Sequence, residues 1–254
     1  LVMGVPKFSG FSKRYLVVGT LLFVSYEICL ALSIGMANSR HQAMEMAVIN
    51  YLWPTLTILL SIIIGRKKVS YWVYPSMIIA FLGVAWCITG DQEMSVDTLV
   101  TNFADNPATY LMALAAAFIW AIYCVVTQKI SNGKNAITLF FTVTAMSLWA
   151  QYGFSNEAPL TFSISSSMTL LLAGVVVGSG YALWNQAIIG GNLMLLGTLS
   201  YFTPVFSTII SALYLSITLS ASFWQGVVLV TVGSLICYFV TRDKPQKYNV
   251  EVTT

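Results

Sequence analysis

Tyr51-Leu52-Trp53-Pro54-Thr55-Leu56-Thr57-Ile58-Leu59-Leu60-Ser61-Ile62-Ile63-Ile64-Gly65 runs without a charge and then meets Arg66-Lys67-Lys68. Extended back to Ala43, this apolar run has the length of a membrane crossing, since a hydrocarbon core of about 30 Å needs roughly 20 residues of helix. Its second property is that it recurs. Tyr201-Phe202-Thr203-Pro204-Val205-Phe206-Ser207 to Ser211 repeats the Tyr, Pro and hydroxyl spacing at an offset of 150 residues, from 51 to 201.

Similar charge-poor runs occupy 15–37, 43–65, 72–90, 110–128, 136–154, 168–190, 193–215 and 223–241. The chain of 254 residues is 57% hydrophobic and 8% charged, with a mean hydropathy of +0.80. That leaves too little polar surface to cover a water-soluble globule. Backbone groups in lipid must be satisfied within their own segment, and no alternating ten-residue strands occur, so helices are favoured over a barrel. The fold class is all-α: a polytopic helical membrane protein.

The cations set the orientation. Lys7, Lys13 and Arg14 precede the first run, Arg66, Lys67 and Lys68 follow the second, Lys129 and Lys134 follow the fourth, and Arg242, Lys244 and Lys247 follow the eighth. Placing these segments in the cytoplasm puts every Lys and Arg inside except Arg40, with both visible ends cytoplasmic. Orientation thus accounts for the net charge of +3, and no nucleic-acid partner is expected. Cys29, Cys87, Cys124 and Cys237 each stand alone in an apolar run, without a CxxC pair, and are read as core side chains rather than a metal or redox site.

At the same offset of 150, Gly83 meets Gly233 and Cys87 meets Cys237; with a gap, Tyr26 to Gly35 matches Tyr181 to Gly190. The pattern predicts an internal duplication. The second copy holds five runs and the first only three, and counting 150 back from residue 110 places the first copy's start about 40 residues before Leu1. The chain also opens Leu1-Val2-Met3-Gly4-Val5-Pro6, like a helix already in progress. A truncated ten-helix protein lacking its first two helices is therefore expected. Five helices per copy is an odd number, which gives inverted repeats. The expected organisation is a partial first repeat over 1–90, an outer loop with a short amphipathic helix over 91–109, a second repeat over 110–241 and a cytoplasmic tail over 242–254. Val96, Leu99, Val100 and Phe103 supply the amphipathic face.

Pro54 and Pro204 each lie on a small polar stripe, Asn50, Thr57 and Ser61 in one copy and Ser200, Ser207 and Ser211 in the other. They are read as hinges in kinked helices lining a cavity, against the alternative of independent lipid-facing kinks. Glu27 and Glu45 are the ionisable groups inside the runs. A carboxyl at membrane depth marks function by default, as a proton carrier or cavity group, with a structural hydrogen bonder as the alternative. Glu45, near the run's start beside His41 and Gln42, is as well explained by the helix dipole. Trp120, Tyr123 and Thr127 share one face, Tyr181, Trp184 and Asn185 another, and Trp149 and Tyr152 a third. Tyr15, Tyr71, Trp72, Tyr110 and Trp224 fit an interfacial belt. Trp184 and Asn185 lie too deep for that and suggest a cavity that stacks flat side chains and pairs with polar groups. Gly174-Val-Val-Val-Gly178 reads as a close helix contact. No GxSxG, HExxH, Walker or GxGxxG pattern occurs and His41 is the one histidine, so neither an enzyme nor a cofactor is expected.

Leu21-Leu-Phe-Val-Ser-Tyr-Glu-Ile-Cys-Leu-Ala-Leu-Ser33, Asn50-Tyr-Leu-Trp-Pro-Thr-Leu-Thr-Ile-Leu60, Ala117-Phe-Ile-Trp-Ala121, Ser200-Tyr-Phe-Thr-Pro-Val205 and Ser222-Phe-Trp-Gln-Gly226 resemble the EamA branch of the drug/metabolite transporter superfamily. The resemblance spans essentially the whole chain. It implies ten helices, a central cavity, location in the bacterial inner membrane, and efflux of aromatic and other neutral amino acids. Candidate substrate-binding residues are then Tyr26, Glu27, Asn50, Tyr51, Trp53, Trp120, Tyr123, Trp149, Tyr181, Trp184, Asn185 and Tyr201. The alternatives are export of another metabolite or drug, and a non-transporting scaffold or sensor. Oligomeric state is left open.

Overall fold

A computed structural model describes residues 10–66, 68–90, 96–155, 159–216 and 218–241, and within them all regular structure is helical. Lys7, Lys67, Arg242, Lys244, Lys247 and the tail 242–254 lie outside the described residues, as does the side chain of Ser211. The helices are α1 (Lys13–Gly35), α2 (Arg40–Asn50), α3 (Trp53–Gly65), α4 (Val73–Thr89), α5 (Val96–Asp105), α6 (Pro107–Ile130), α7 (Ile137–Phe154), α8 (Ile164–Gly190), α9 (Leu193–Ser200), α10 (Thr203–Leu215) and α11 (Ala221–Thr241). All eight apolar runs are helical. Six candidate spans among the described residues are long and apolar enough to cross a membrane. The other two fall just short: α4 has 17 residues, and α7 is diluted by Thr138, Thr142, Thr144, Ser147 and Gln151.

Two of the six spans are interrupted for two residues, each just before a proline. The second run stops at Asn50 and restarts at Trp53; the seventh stops at Ser200 and restarts at Thr203. Pro54 and Pro204 lie in the first turns after the interruptions, and the backbone stays right-handed helical through Tyr51-Leu52 and Tyr201-Phe202. Both short helices are 13 residues long and end on a left-handed residue, Arg66 at φ 47° and Ser216 at φ 54°, which stops the helix by turning the chain away from its axis. Elsewhere side chains open helices. Ser12 and Ser39 accept from backbone amides of α1 and α2, Ser163 and Ser166 form a reciprocal cap on α8, and Asn192 accepts from Met194 N at 3.0 Å on α9.

α1 packs along α6 and touches α7, α4 packs along α11, and α3 bridges α6 and α9. One core gathers Tyr15, Phe23, Tyr26, Trp120, Tyr123 and Phe140; the other gathers Ile58, Met77, Val84, Tyr201, Phe223 and Val230. Away from these cores the surface is apolar: Leu82, Leu183, Ile210 and Leu213 are all more than half exposed, as lipid-facing positions are. Gly174 and Gly178 are a correction. Among the described residues nothing lies within 4 Å of a Cβ built on either, so they make no close contact there. The close approach occurs instead between α4 and α11, where a Cβ on Gly83 would lie 2.5 Å from Val230 N.

Candidate functional site

The interruptions in the two spans bring helix ends, at Trp53, Ser200 and Thr203, to a cleft of about 350 Å³. Tyr26 of α1, Trp53 of α3 and Trp120 of α6 form one side; Val177, Gly180, Tyr181 and Trp184 of α8 form the other, with Ser200 and Thr203 flanking the second break. The volume is within the 300–1,000 Å³ range of small-molecule sites. Its aromatic rings are mutually braced. Tyr26 lies on Trp120 with centroids 4.4 Å apart, Trp53 meets Trp184 edge-on at 5.3 Å, and Trp120 meets Tyr181 edge-on at 5.5 Å. Rings held this way present fixed faces and edges to a flat ligand.

Of the sequence-predicted site residues, Tyr26, Trp53, Trp120, Tyr181 and Trp184 come together here. Glu27 and Asn50 border the group: the Tyr181 hydroxyl interacts with both the Tyr26 hydroxyl and the Glu27 carboxyl, and the Tyr26 hydroxyl with the Asn50 amide. Glu27 Oε1, Asn50 Oδ1 and Trp184 Nε1 are buried with no hydrogen-bond partner, although the Cys124 thiol lies beside the indole N–H.

Five others go elsewhere. Tyr123 stacks behind Trp120 at 5.0 Å and donates to Asn185 Oδ1 at 2.6 Å. Asn185 Nδ2 donates to Asn135 Oδ1 at 2.5 Å and to Tyr15 Oη at 3.3 Å. This network ties α1, α6 and α8 to the chain before α7, so Asn185 turns away from Trp184 and its polar groups are used. Tyr51 and Tyr201 pack with the second core, where Tyr201 Oη and Thr55 Oγ1 are 2.5 Å apart. Trp149 is 59% exposed and pairs edge-on with Tyr152, on the outer side of α7.

Two predicted interfacial residues are also relocated. Tyr71, Trp72 and Trp224 are exposed, but Tyr15 is fully buried in the Asn185 network and Tyr110 is 7% exposed against Glu45. Glu45, expected near the surface, is 2% exposed; its carboxylate accepts from the Tyr110 hydroxyl and, at 2.9 Å, from Asn102 Nδ2 of α5. Gln42, Asn102 and Asn135 were not singled out by the sequence, because the bonds Gln42–Asn102, Asn102–Glu45 and Asn135–Asn185 each span 50 or more residues.

The EamA-like transporter family matches residues 107–239. The chain is 45% identical over 242 residues to the aromatic amino acid exporter YddG of Salmonella typhimurium, covering 95% of this chain and 83% of that protein. It is 43% identical to the aromatic amino acid exporter YddG of Escherichia coli, over 94% of this chain and 82% of the relative. A solved crystal structure of a protein 19% identical superposes with a TM-score of 0.74, covering 93% of this chain and 80% of that one, a likeness of fold.

Proposed function

The chain belongs to the EamA-like transporter family, and from that premise we propose that it is a secondary exporter of aromatic and other neutral amino acids. The substrate crosses through the cleft between α1, α3, α6 and α8 by alternating access. One observation carries this reading: three indoles, of Trp53, Trp120 and Trp184, and two phenols, of Tyr26 and Tyr181, converge on one cleft of a multi-pass membrane protein. Offset and edge-on contact with a flat side chain adds about 0.5–1.5 kcal/mol per aromatic pair beyond burial, enough to prefer aromatic over small substrates.

Two broken spans support the same reading. A helix interrupted at mid-path exposes backbone ends to a ligand and allows its two parts to move separately. The breaks fall at Tyr51-Leu52 and Tyr201-Phe202, 150 residues apart, and Arg66 and Ser216 close the following helices at the same offset. We read them as the corresponding hinges of two duplicated, inverted units, the first ending near residue 90 and the second covering 110–241. The cations at Lys13, Arg14, Arg66, Lys68, Lys129 and Lys134 favour a cytoplasmic location for the adjoining ends, in a bacterial inner membrane.

The test is flux of radiolabelled phenylalanine from liposomes containing the purified protein. Saturable flux, competed by tryptophan, is the expected result. Flux equal to that of empty vesicles supports instead a scaffold or sensor that keeps the fold.

A further inference from the structure

The cleft is chemically lopsided. Its indole walls are apolar, whereas the end formed by Tyr26 and Tyr181 adjoins two oxygens with no partner, Glu27 Oε1 of α1 and Asn50 Oδ1 at the end of α2. A buried polar atom without a hydrogen bond costs roughly 1–3 kcal/mol, so two such oxygens on side chains that touch the cleft's phenols call for a donor that arrives from outside the protein. The phenols connect them: Tyr181 interacts with Glu27, and Tyr26 with Tyr181 and Asn50. No Lys or Arg occurs in residues 15–37 or 43–65, the runs that carry the two oxygens.

We propose that Glu27 Oε1 and Asn50 Oδ1 form the ammonium subsite of the cleft, holding the positively charged end of a zwitterionic ligand while its flat side chain lies against Trp53, Trp120 and Trp184. An ammonium has three donors and no acceptor. It satisfies both orphaned oxygens together, where a hydroxyl or a carboxylate of the same ligand would satisfy one or neither. The carboxylate end is directed away from Glu27, toward Ser200 and Thr203 at the second helix break. Selection for the amino group would follow from acceptor geometry, and selection for the side chain from the indoles, on different helices.

The inference rests on the cleft's taking aromatic amino acids, and its test separates the two. Dissociation constants are measured for phenylalanine and for 3-phenylpropionate, which keeps the ring and carboxylate but lacks the ammonium, on the purified protein in lipid nanodiscs. Wild type is expected to prefer phenylalanine by at least about tenfold, the scale of a charge-assisted hydrogen bond. Glu27→Gln removes the charge and should reduce that preference about tenfold through weaker phenylalanine binding, with 3-phenylpropionate changed less than about twofold. Glu27→Asp should restore most of it. Asn50→Asp, which adds a negative acceptor at the same end, should raise the preference and weaken 3-phenylpropionate. A wild-type preference near one overturns the subsite alone, as does an unchanged preference in both Glu27→Gln and Asn50→Asp. Binding of neither ligand to wild type overturns the aromatic reading of the cleft and the subsite with it.

Discussion

Gly83 and Gly233 exchange roles across the contact between α4 and α11: a Cβ on Gly83 would stand 2.5 Å from Val230 N, and one on Gly233 2.4 Å from Ala80 N. Moving residue 83 forward by 150 and residue 230 back by 150 turns the first pair into the second. A further pair behaves alike, for Gly226 would meet Cys87 N at 2.7 Å while Ser76 interacts with the Cys237 thiol. In a contact with two-fold symmetry, residue i meets j and j meets i. Two copies of one ancestral helix packed on each other would keep that reciprocity.

Gly83→Ala and Gly233→Ala should accordingly destabilise the protein by similar amounts, about 1–3 kcal/mol each, because the added methyl meets backbone that has to shift. Gly174→Ala, with open space around it, should be neutral or stabilising by about 0.5–1 kcal/mol through helix propensity. Thermal unfolding midpoints in detergent read all three. A large cost at Gly83 with none at Gly233 would remove the argument for a symmetric contact.

Asn185→Ala should cost stability and spare ligand choice. The amide joins Tyr123, Asn135 and Tyr15, and its loss strands at least one buried partner at about 1–3 kcal/mol. The ratio of tryptophan to threonine flux in liposomes, corrected for the amount of folded protein, should stay within about twofold of wild type. A changed ratio would return Asn185 to the cleft.

The eight apolar runs were legible because helices in lipid advertise themselves by length and composition, and Trp120 with Tyr123 was legible as a shared face because a helix repeats every 3.6 residues. Periodicity does not say which helix a face meets. Trp184 and Asn185 are adjacent in sequence and only about 100° apart around α8, so a sequence reading joined them; packing against the Tyr15 and Tyr123 hydroxyls then separated them. The helix breaks were half legible. Tyr-x-x-Pro at 51 and 201 marked the places, but not the local form: Tyr51 N keeps its bond to Ala47 O while Leu52 N tightens to Ile49 O, a detail that residue type does not specify. The Gly174-x-x-x-Gly178 pattern misled because small residues permit a close contact without supplying the second helix.

Trp184→Ala should lower flux of tryptophan and phenylalanine about fivefold and that of threonine less than twofold. The substitution removes a ring edge-on to Trp53 at 5.3 Å and one wall of the cleft, worth on the order of 1 kcal/mol to each aromatic contact. Equal losses for all three substrates, at equal protein levels, would make Trp184 a packing residue.

The buried carboxyl of Glu45 joins three helices by neutral donors: Tyr110 of α6 and Asn102 of α5 donate to it from its place on α2, and Gln42 Nε2 donates to Asn102 O at 3.2 Å. Among the described residues the other contacts of α5 fall mainly on α6, so its docking should depend on the network. Tyr110→Phe keeps the ring against Phe103 but removes one donor, and should destabilise by about 1–3 kcal/mol. Asn102→Ala should do likewise. The two donors serve one carboxyl, so the double variant should differ from the sum of the singles by about 0.5 kcal/mol or more. Hydrogen exchange locates the effect: amides of 96–105 should lose protection in each single variant before those of α4 and α11 do. If α5 exchanged as fast in wild type as in Asn102→Ala, the Glu45 network would have no part in holding it.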